Sequence, residues 1–148
     1  MGFEQEVAVE ESPLIVRGAT AGDLPLVEAL IEPFVAEGRL LPRTTEELHV
    51  LLPSGFVAWC DGRLVGFAAL EVYSPKLAEL RSLAVLDAYR GRGIGRRLVE
   101  ACLRLAADRR VFEVMVVTSE DRFFQGCGFD FTLPGEKKAL FFPVREKH

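Results

Sequence analysis

The residues that follow Leu86 have the composition of an anion-binding loop. In the segment YRGRGIGRR, three glycines alternate with other residues and four arginines surround them. Alternating glycines let the backbone turn sharply and leave consecutive N–H groups without side chains in front of them. An amphipathic helix follows directly, and the partial positive charge at a helix N-terminus favours an anion. The sequence therefore predicts a phosphate-binding loop made of Arg90, Gly91, Arg92, Gly93, Ile94, Gly95 and Arg96.

Two other glycine-rich loops fit this segment poorly. The dinucleotide fingerprint is G-x-G-x-x-G in a first βαβ unit, whereas the spacing here is G-x-G-x-G and the segment lies past the middle of the chain. The P-loop requires Lys followed by Ser or Thr after its last glycine, and here Arg96 and Arg97 follow Gly95. The alternative to a phosphate site is a glycine-rich turn that carries solvated arginines.

The sequence around the loop resembles one family. The pattern R-x-x-G-x-G, at Arg90, Gly93 and Gly95, comes just after a predicted strand that ends in Leu-Ala-Val. This arrangement resembles the acetyl-CoA pyrophosphate loop of the GCN5-related N-acetyltransferases, the GNAT family, and implies acetyl-CoA as the co-substrate. In that family a backbone N–H of the preceding strand polarises the thioester carbonyl and holds the pantetheine. The resemblance gives that role to Leu83, Ala84 and Val85.

The elements that must position the loop follow from apolar periodicity and turn signals. These predict the order β-α-α-β-β-β-α-β-α-β-β, with a two-residue hairpin turn at Asp61-Gly62 and capping boxes at residues 20–23 and 44–47. The apolar run at residues 111–117 predicts a buried central strand. Residues 129–131 and 139–142 are expected to form a final strand pair.

That order resembles the GNAT fold. It implies an α/β (α+β) architecture: a central mixed, mostly antiparallel sheet of about six to seven strands, splayed at strand 4 and flanked by about four helices. We expect residues 1–12 to be a disordered acidic lead-in and residues 13–148 to form a single acetyltransferase domain.

Four segments are similar to elements of a narrower group, the acetyltransferase domain of N-acetylglutamate synthase. In that group they read G-x-L-x-x-R, A-E-L-x-x-L-A-V, an aromatic pair before G-F, and L-P-x-x-K/R-x-A-L-Y followed by Arg. Here they are residues 34–44, residues 78–85, Phe123-Phe124 before Gly128-Phe129, and residues 133–141 with Arg145 after them.

This resemblance implies a site for the carboxylates of an amino acid. Arg43 and Arg145 match the positions that bind the substrate, and the fork of a guanidinium suits a carboxylate. The backbone of Leu41 would belong to the same pocket. The alternative is that both arginines are ordinary surface residues.

Glu79 matches the general base of the family. Residues 79, 81, 83 and 85 of a regular strand face one way, so Arg81 is expected beside Glu79 and is assigned to the substrate-binding residues. The base needs direct or water-mediated reach to the substrate amine. The alternative is a surface ion pair of Glu79 with Arg81 or Lys76.

The acid that protonates the departing thiolate is not apparent. Many members of the family use a tyrosine for it, and Phe124 occupies that position in the Y-x-x-x-G-F element. Either the thiolate leaves unassisted, or a hydroxyl such as that of Ser119 or Thr118 serves; Ser119 is our candidate.

Composition excludes several other functions. A net charge of −4 argues against non-specific binding of nucleic acid, which requires a basic surface. The three cysteines have no metal-ligand spacing, so no metal is expected, and Cys60 and Cys102 are predicted to lie in the core. No apolar run reaches the length of a membrane span, and the acidic start is unlike a signal peptide, so we expect a cytoplasmic protein that does not bind membranes. Sheet edges and the apolar C-terminal strand favour a homodimer.

Together these features predict an acetyl-CoA-dependent N-acetyltransferase that acts on L-glutamate, as in arginine biosynthesis, by direct attack of the amine on the thioester. These 148 residues are too short to include the amino-acid-kinase domain that is common in such enzymes, so we expect a stand-alone catalytic domain. The C-terminal R-x-S-K element of the family reads here as Arg145-Glu146-Lys147-His148, without the serine. Two alternatives stay open. One is a GNAT enzyme for another small amine or a protein N-terminus, although cationic amines would favour carboxylates over arginines. The other is a non-catalytic acetyl-CoA sensor.

Overall fold

The computed structural model describes residues 13–132 and 139–145. The predicted lead-in at residues 1–12 lies outside this part of the chain, as do residues 133–138 and 146–148 of the C-terminal motifs. The chain forms two compact parts, of which the first ends at Val117 and the second begins at Thr118.

The first part contains five strands and three α-helices. In chain order they are β1 (Ile15–Gly18), α1 (Leu24–Ala36), α2 (Thr45–Leu51), β2 (Gly55–Cys60), β3 (Arg63–Ser74), β4 (Leu77–Val85), α3 (Ile94–Asp108) and β5 (Glu113–Met115). The second part contains α4 (Asp121–Gly126). Nowhere in the described part of the chain does a helix combine the length and the apolar character that crossing a membrane requires.

Both predicted capping boxes are confirmed. Before α1, the Asp23 carboxylate accepts the Thr20 backbone N–H at 2.8 Å and the Thr20 hydroxyl at 3.1 Å. The same carboxylate takes two hydrogen bonds from Arg17 of β1, at 2.8 and 2.9 Å. At α2, the Thr44 hydroxyl accepts the Glu47 N–H at 3.1 Å and the Glu47 carboxylate accepts the Thr44 N–H at 3.2 Å. These bonds satisfy N–H groups that helix starts otherwise leave unpaired.

The strands form one mixed sheet in the order β1-β2-β3-β4-β5. The first three pairings are antiparallel and the β4–β5 pairing is parallel. The predicted hairpin turn joins β2 to β3, with Asp61 and Gly62 at φ 55° and 71°. Positive φ at both central positions is the requirement of a type I′ turn.

The described residues hold five strands, which is fewer than the six to seven that the sequence predicted. Residues 129–132 and 139–145 form no strand, and Leu140, Phe141 and Phe142 are between 78% and 92% exposed. Apolar composition predicts burial, but a strand also needs a partner for its backbone groups, and composition does not supply one.

The predicted central strand at residues 111–117 is also shorter than expected. Only Glu113–Met115 pair, with Leu77–Glu79 of β4, and their side chains are half-buried or exposed. A continuous apolar run suggests a strand buried on both faces, but here the pairing with β4 ends after three residues.

The pairing of β4 changes at a bulge. Phe67 of β3 pairs with Ala84 and Ala69 pairs with Arg81, so Ser82 and Leu83 together stand opposite one residue of β3. Ser82 has a φ of 58°, which is uncommon for a residue with a side chain. Past Glu79, β4 has no described partner on its β5 side. This is the splayed strand 4 that the resemblance implied.

Apolar side chains cover both faces of the sheet. One face packs on α1 and α2 through a cluster that includes Val27, Phe34, Leu48, Phe67 and Ala84. On the other face α3 comes close to β3, since a Cβ added at Gly66 would lie 2.9 Å from the Leu98 side chain. Two elements of the expected site, the bulge of β4 and the start of α3, are therefore both anchored on β3.

In the second part, α4 buries Phe124. The ring of Phe124 packs edge-on against Phe123 at 4.9 Å and against Phe129 at 5.5 Å between ring centroids. The last helix of the predicted element order is thus confirmed, at Asp121–Gly126.

Candidate active site

The glycine loop leads directly into α3. Gly91 and Gly93 both have φ 78°, in the left-handed region that glycine adopts at least cost. The first hydrogen bond of the helix runs from the Arg97 N–H to the Gly93 carbonyl at 3.1 Å. The N–H groups of Ile94, Gly95 and Arg96 therefore have no acceptor within the helix. Unpaired donors at the start of a 15-residue helix have a geometry that suits an anion.

The arginines of the loop are exposed, and two of them have carboxylate partners. Arg90 pairs with Asp87 at 3.0 Å and Arg96 pairs with Glu100 at 3.2 Å. Arg97 donates to the Leu14 carbonyl at 3.2 Å. Exposed pairs of this kind are weak and exchange readily, so these guanidinium groups can turn to a bound anion at little cost.

The bulge of β4 corrects one prediction about side-chain direction. A regular strand would turn residues 79, 81, 83 and 85 to one face. Phe67 and Ala69 share a face of β3, and their partners are Ala84 and Arg81. Ala84 therefore shares a face with Glu79 and Arg81, because the extra residue at the bulge shifts the alternation by one. Leu83, Ala84 and Val85 follow directly after Ser82, at the splayed end of the strand.

Arg43 reaches the same bulge from the connection between α1 and α2. Its Nε donates to the Ser82 Oγ at 3.1 Å, and only 8% of its side chain is exposed. The nearest carboxylate oxygen, on Glu47, lies 3.7 Å from Nη1, which is beyond hydrogen-bond distance. Among the residues that the structure describes, nothing accepts a hydrogen bond from Nη1 or Nη2 of this guanidinium. A buried arginine with an unpaired tip is a suitable receptor for a carboxylate.

Glu79 lies in a cluster with three neighbours from β3 and β4. Its Oε1 accepts a hydrogen bond from the Tyr73 hydroxyl at 2.5 Å, and 13% of its side chain is exposed. Arg81 is 3.9 Å from Glu79 but only 2.9 Å from Glu71, to which it donates. The predicted alternative, an ion pair of Glu79 with Arg81, is therefore the looser of the two carboxylate contacts that Arg81 makes.

Sequence reasoning did not identify Glu71, Tyr73 or Ser82. The register pairs Glu71 with Glu79 across the β3–β4 hairpin. The turn consists of Pro75 and Lys76, and a bulge at Tyr73 shifts the register by one residue, so the turn alone would not have given this pairing. Ser82 likewise gave no signal, since bulges form from pairing and not from a residue type.

Tyr73 stays protonated over a wide pH range. The residue is 48% exposed, but its hydroxyl is directed at Glu79, Glu71 and Arg81. Desolvation of the hydroxyl, together with its hydrogen bond to the Glu79 carboxylate, raises the pKa of Tyr73 to about 12. Tyr73 is therefore a hydrogen-bond donor to Glu79 at neutral pH.

The remaining predicted residues are exposed. Leu41 is 69% exposed in the connection before Arg43. Ser119 and Arg145 belong to the second part of the chain, where both are exposed. In the described residues, no three side chains of His, Cys, Asp or Glu lie close enough together to hold a metal ion.

Comparison with known proteins identifies relatives. An uncharacterized N-acetyltransferase of Chlorobaculum tepidum is 38% identical over 114 residues, which cover 77% of this chain and 74% of that protein. The amino-acid acetyltransferase of Mycobacterium tuberculosis is 33% identical over 118 residues, or 78% of this chain and 67% of that enzyme.

A solved structure shares the fold. It is N-acetylglutamate synthase from Neisseria gonorrhoeae in complex with coenzyme A and N-acetyl-glutamate, with a TM-score of 0.70 and 27% identity. The similarity covers 79% of this chain but 28% of that enzyme, so the chain spans about a quarter of the length of the synthase.

The family assignment rests on the larger part of the sequence. The model of the Acetyltransferase (GNAT) family matches residues 25–129, a range that includes α1 from its second residue, the bulged strand β4 and the glycine loop. The chain belongs to the GNAT family of acetyltransferases.

Proposed function

We propose that this chain, an acetyl-CoA-dependent N-acetyltransferase of the GNAT type, transfers the acetyl group to the α-amine of L-glutamate. The observation that carries this substrate is Arg43, whose side chain is 8% exposed and whose Nη1 and Nη2 have no hydrogen-bond acceptor among the described residues, the Glu47 carboxylate being 3.7 Å away. Desolvation of a cation is costly unless a partner compensates for it. An anionic substrate group would provide that partner.

The proposed carboxylate site lies close to the elements that would hold the cofactor. Ser82, which bonds to Arg43, directly precedes Leu83, Ala84 and Val85 in β4. The free N–H groups at the start of α3 would bind the pyrophosphate, and a backbone N–H after the bulge would polarise the thioester carbonyl. Arg43 and the bulge would thus align the amino acid with the acetyl group. Arg145 is the second candidate for a substrate carboxylate.

Glu79 would act as the base. The substrate amine loses a proton to the Glu79 carboxylate, directly or through a water molecule, and its nitrogen attacks the thioester carbon. The carbon–sulfur bond then breaks, coenzyme A leaves as the thiolate, and the nitrogen gives up the second proton that amide formation requires, which passes to the thiolate sulfur. Arg81 would lie at the edge of this site, and the Ser119 hydroxyl is the candidate donor of the proton to the thiolate.

The names and bound ligands of two similar proteins support an amino-acid substrate. The M. tuberculosis enzyme is named an amino-acid acetyltransferase, and the N. gonorrhoeae synthase was crystallised with N-acetyl-glutamate and coenzyme A. An arginine that presents an unpaired tip fits an acidic amino acid better than a cationic amine.

Steady-state kinetics of Arg43 variants tests the substrate. We expect Arg43→Ala to raise the KM for L-glutamate by about 10- to 100-fold, the effect of losing a charge-assisted pair, while the KM for acetyl-CoA stays constant. Arg43→Lys should recover only part of this loss, because an ammonium group cannot bind a carboxylate with two parallel hydrogen bonds. Arg63→Ala, at an exposed arginine that begins β3, is the matched control. An unchanged KM for glutamate in Arg43→Ala would overturn the proposal.

Glu79→Gln tests the base. The substitution keeps the shape of the side chain and removes the proton acceptor, so we expect kcat to fall by about 100-fold or more. Binding of acetyl-CoA, measured by calorimetry, should not change. A variant with the full rate would show that Glu79 is not the base.

A further inference from the structure

In the cluster around Glu79, each of the two carboxylates has its own hydrogen-bond donor. Arg81 donates to Glu71 at 2.9 Å and is 3.9 Å from Glu79. The Tyr73 hydroxyl is 2.5 Å from Glu79 and 3.3 Å from Glu71. A hydroxyl has one proton to donate, and the shorter contact has the length of a charge-assisted O–H···O⁻ bond. Glu71 therefore neutralises Arg81, and Tyr73 holds Glu79.

This division leaves one oxygen of Glu79 available. Both contacts to the Glu79 carboxylate are made to Oε1. In the described part of the chain, no hydrogen bond reaches Oε2. The hydrogen bond from Tyr73 fixes the plane of the carboxylate. The arrangement thus leaves a carboxylate with a fixed orientation and a free oxygen.

From this geometry we infer that Tyr73 is a positioning residue for the base, holding Glu79 through Oε1 so that Oε2 is directed to the substrate amine. The inference rests on the proposed role of Glu79 as the base. Tyr73 does not exchange its own proton in this scheme, because the proton from the amine is taken by Glu79. Glu71 contributes indirectly, by keeping Arg81 away from the carboxylate.

A double-mutant cycle between Tyr73 and Glu79 tests this inference. Tyr73→Phe removes only the hydroxyl of a half-exposed ring, so the variant should fold as the parent does. We expect its kcat to fall by about tenfold, with the KM values of both substrates unchanged, since the lost hydrogen bond orients the base and binds no ligand. In the Glu79→Gln background the same substitution should change kcat by less than about twofold.

A threonine on α2 provides the matched control. The Thr45 hydroxyl also donates to a carboxylate, that of Glu28 at 3.2 Å, so Thr45→Val removes the same kind of contact outside the cluster and should keep the parental kcat. If Glu79→Gln is slow but Tyr73→Phe is not, the inference is wrong and the proposed base stands. An equal fall in both backgrounds would likewise overturn it. A fully active Glu79→Gln would overturn the base and the inference together.

Discussion

At the scale of single residues, Ser82 connects the two halves of the proposed site. Its hydroxyl accepts the hydrogen bond from Arg43, and its backbone, at φ 58°, forms the bulge that precedes the proposed thioester-binding residues. In the proposed site, the side chain therefore orients Arg43 as the receptor of a substrate carboxylate, and the backbone shapes the strand that would face the acetyl group. These two contributions can be separated by substitution.

Ser82→Ala and Ser82→Gly should both raise the KM for L-glutamate by about 3- to 10-fold, because each loses one neutral acceptor of Arg43. Only glycine adopts this φ without strain, so Ser82→Gly should be the more stable of the two in thermal unfolding. Kinetics at saturating acetyl-CoA, combined with a melting curve, measures both effects. An unchanged KM in both variants would show that Ser82 does not hold Arg43 for the substrate.

The residues of the site were only partly predictable. Arg43, Glu79 and the glycine loop stand in recognisable motifs, so the sequence identified them as candidates. The residues that hydrogen-bond to Arg43 and Glu79, which are Ser82 and Tyr73, could not be predicted from motifs. The contact of Tyr73 with Glu79 is set by the register of the β3–β4 hairpin, and the position of Ser82 is set by the bulge in β4. Such features result from pairing between strands, and no local pattern of residues encodes them.

At the scale of elements, Asp23 joins the first strand to the first helix. Its carboxylate accepts hydrogen bonds from Arg17 of β1 and from Thr20 at the start of α1, and the residue is 5% exposed. The hydrogen bonds from Arg17, with those from Thr20, hold the pKa of Asp23 well below its usual range. The ionised carboxylate therefore stabilises the native state.

Asp23→Asn should lower the free energy of unfolding by about 2 kcal/mol at pH 7, since hydrogen bonds to a charged group are lost. A depressed native pKa adds stability above the unfolded value, about pH 4, and that stability is lost as the pH falls towards the native pKa. The difference between the parent and the variant should thus shrink below about pH 4. Urea unfolding of both proteins at several pH values measures this difference in the free energy of unfolding.

Glu100→Gln is the control for this experiment. It breaks the exposed pair with Arg96, in which both side chains are at least half exposed, and should cost no more than about 0.5 kcal/mol. If Asp23→Asn were as stable as Glu100→Gln, the link between β1 and α1 would not contribute as the structure indicates.

Helices and hairpins were easier to predict than the later strands. Capping residues and turn residues act locally, so Thr20, Thr44 and Asp61-Gly62 marked their elements correctly. The strands predicted after α3 rested on apolar composition alone. Composition could not specify how far β5 pairs with β4, or that Phe141 and Phe142 would be exposed.

At the scale of the whole molecule, Cys102 reports on the integrity of the core. It lies on the buried face of α3 and is 0% exposed, and its burial raises the pKa of the thiol to about 12. The burial of the thiol and its raised pKa both suppress alkylation, which needs an accessible thiolate. The predicted core positions of Cys60 and Cys102 are confirmed, at 7% and 0% exposure.

We expect iodoacetamide at pH 8 to leave Cys102 unmodified in the native protein and to modify it in guanidinium chloride, because only global unfolding exposes α3 fully. Peptide mass spectrometry after timed labelling assigns each cysteine. Alkylation of Cys102 in native protein at the rate of an unfolded thiol would contradict the packing of α3 against β3.

A competition assay tests the proposed substrate most directly. It supplies acetyl-CoA with equal concentrations of L-glutamate, L-glutamine, L-aspartate and a polyamine, and mass spectrometry identifies the products. The unpaired tip of the buried Arg43 predicts that N-acetyl-glutamate is the main product and that Arg43→Ala abolishes this preference. Acetylation of the polyamine in preference to the amino acids, or a product ratio that Arg43→Ala leaves unchanged, would contradict the proposed function.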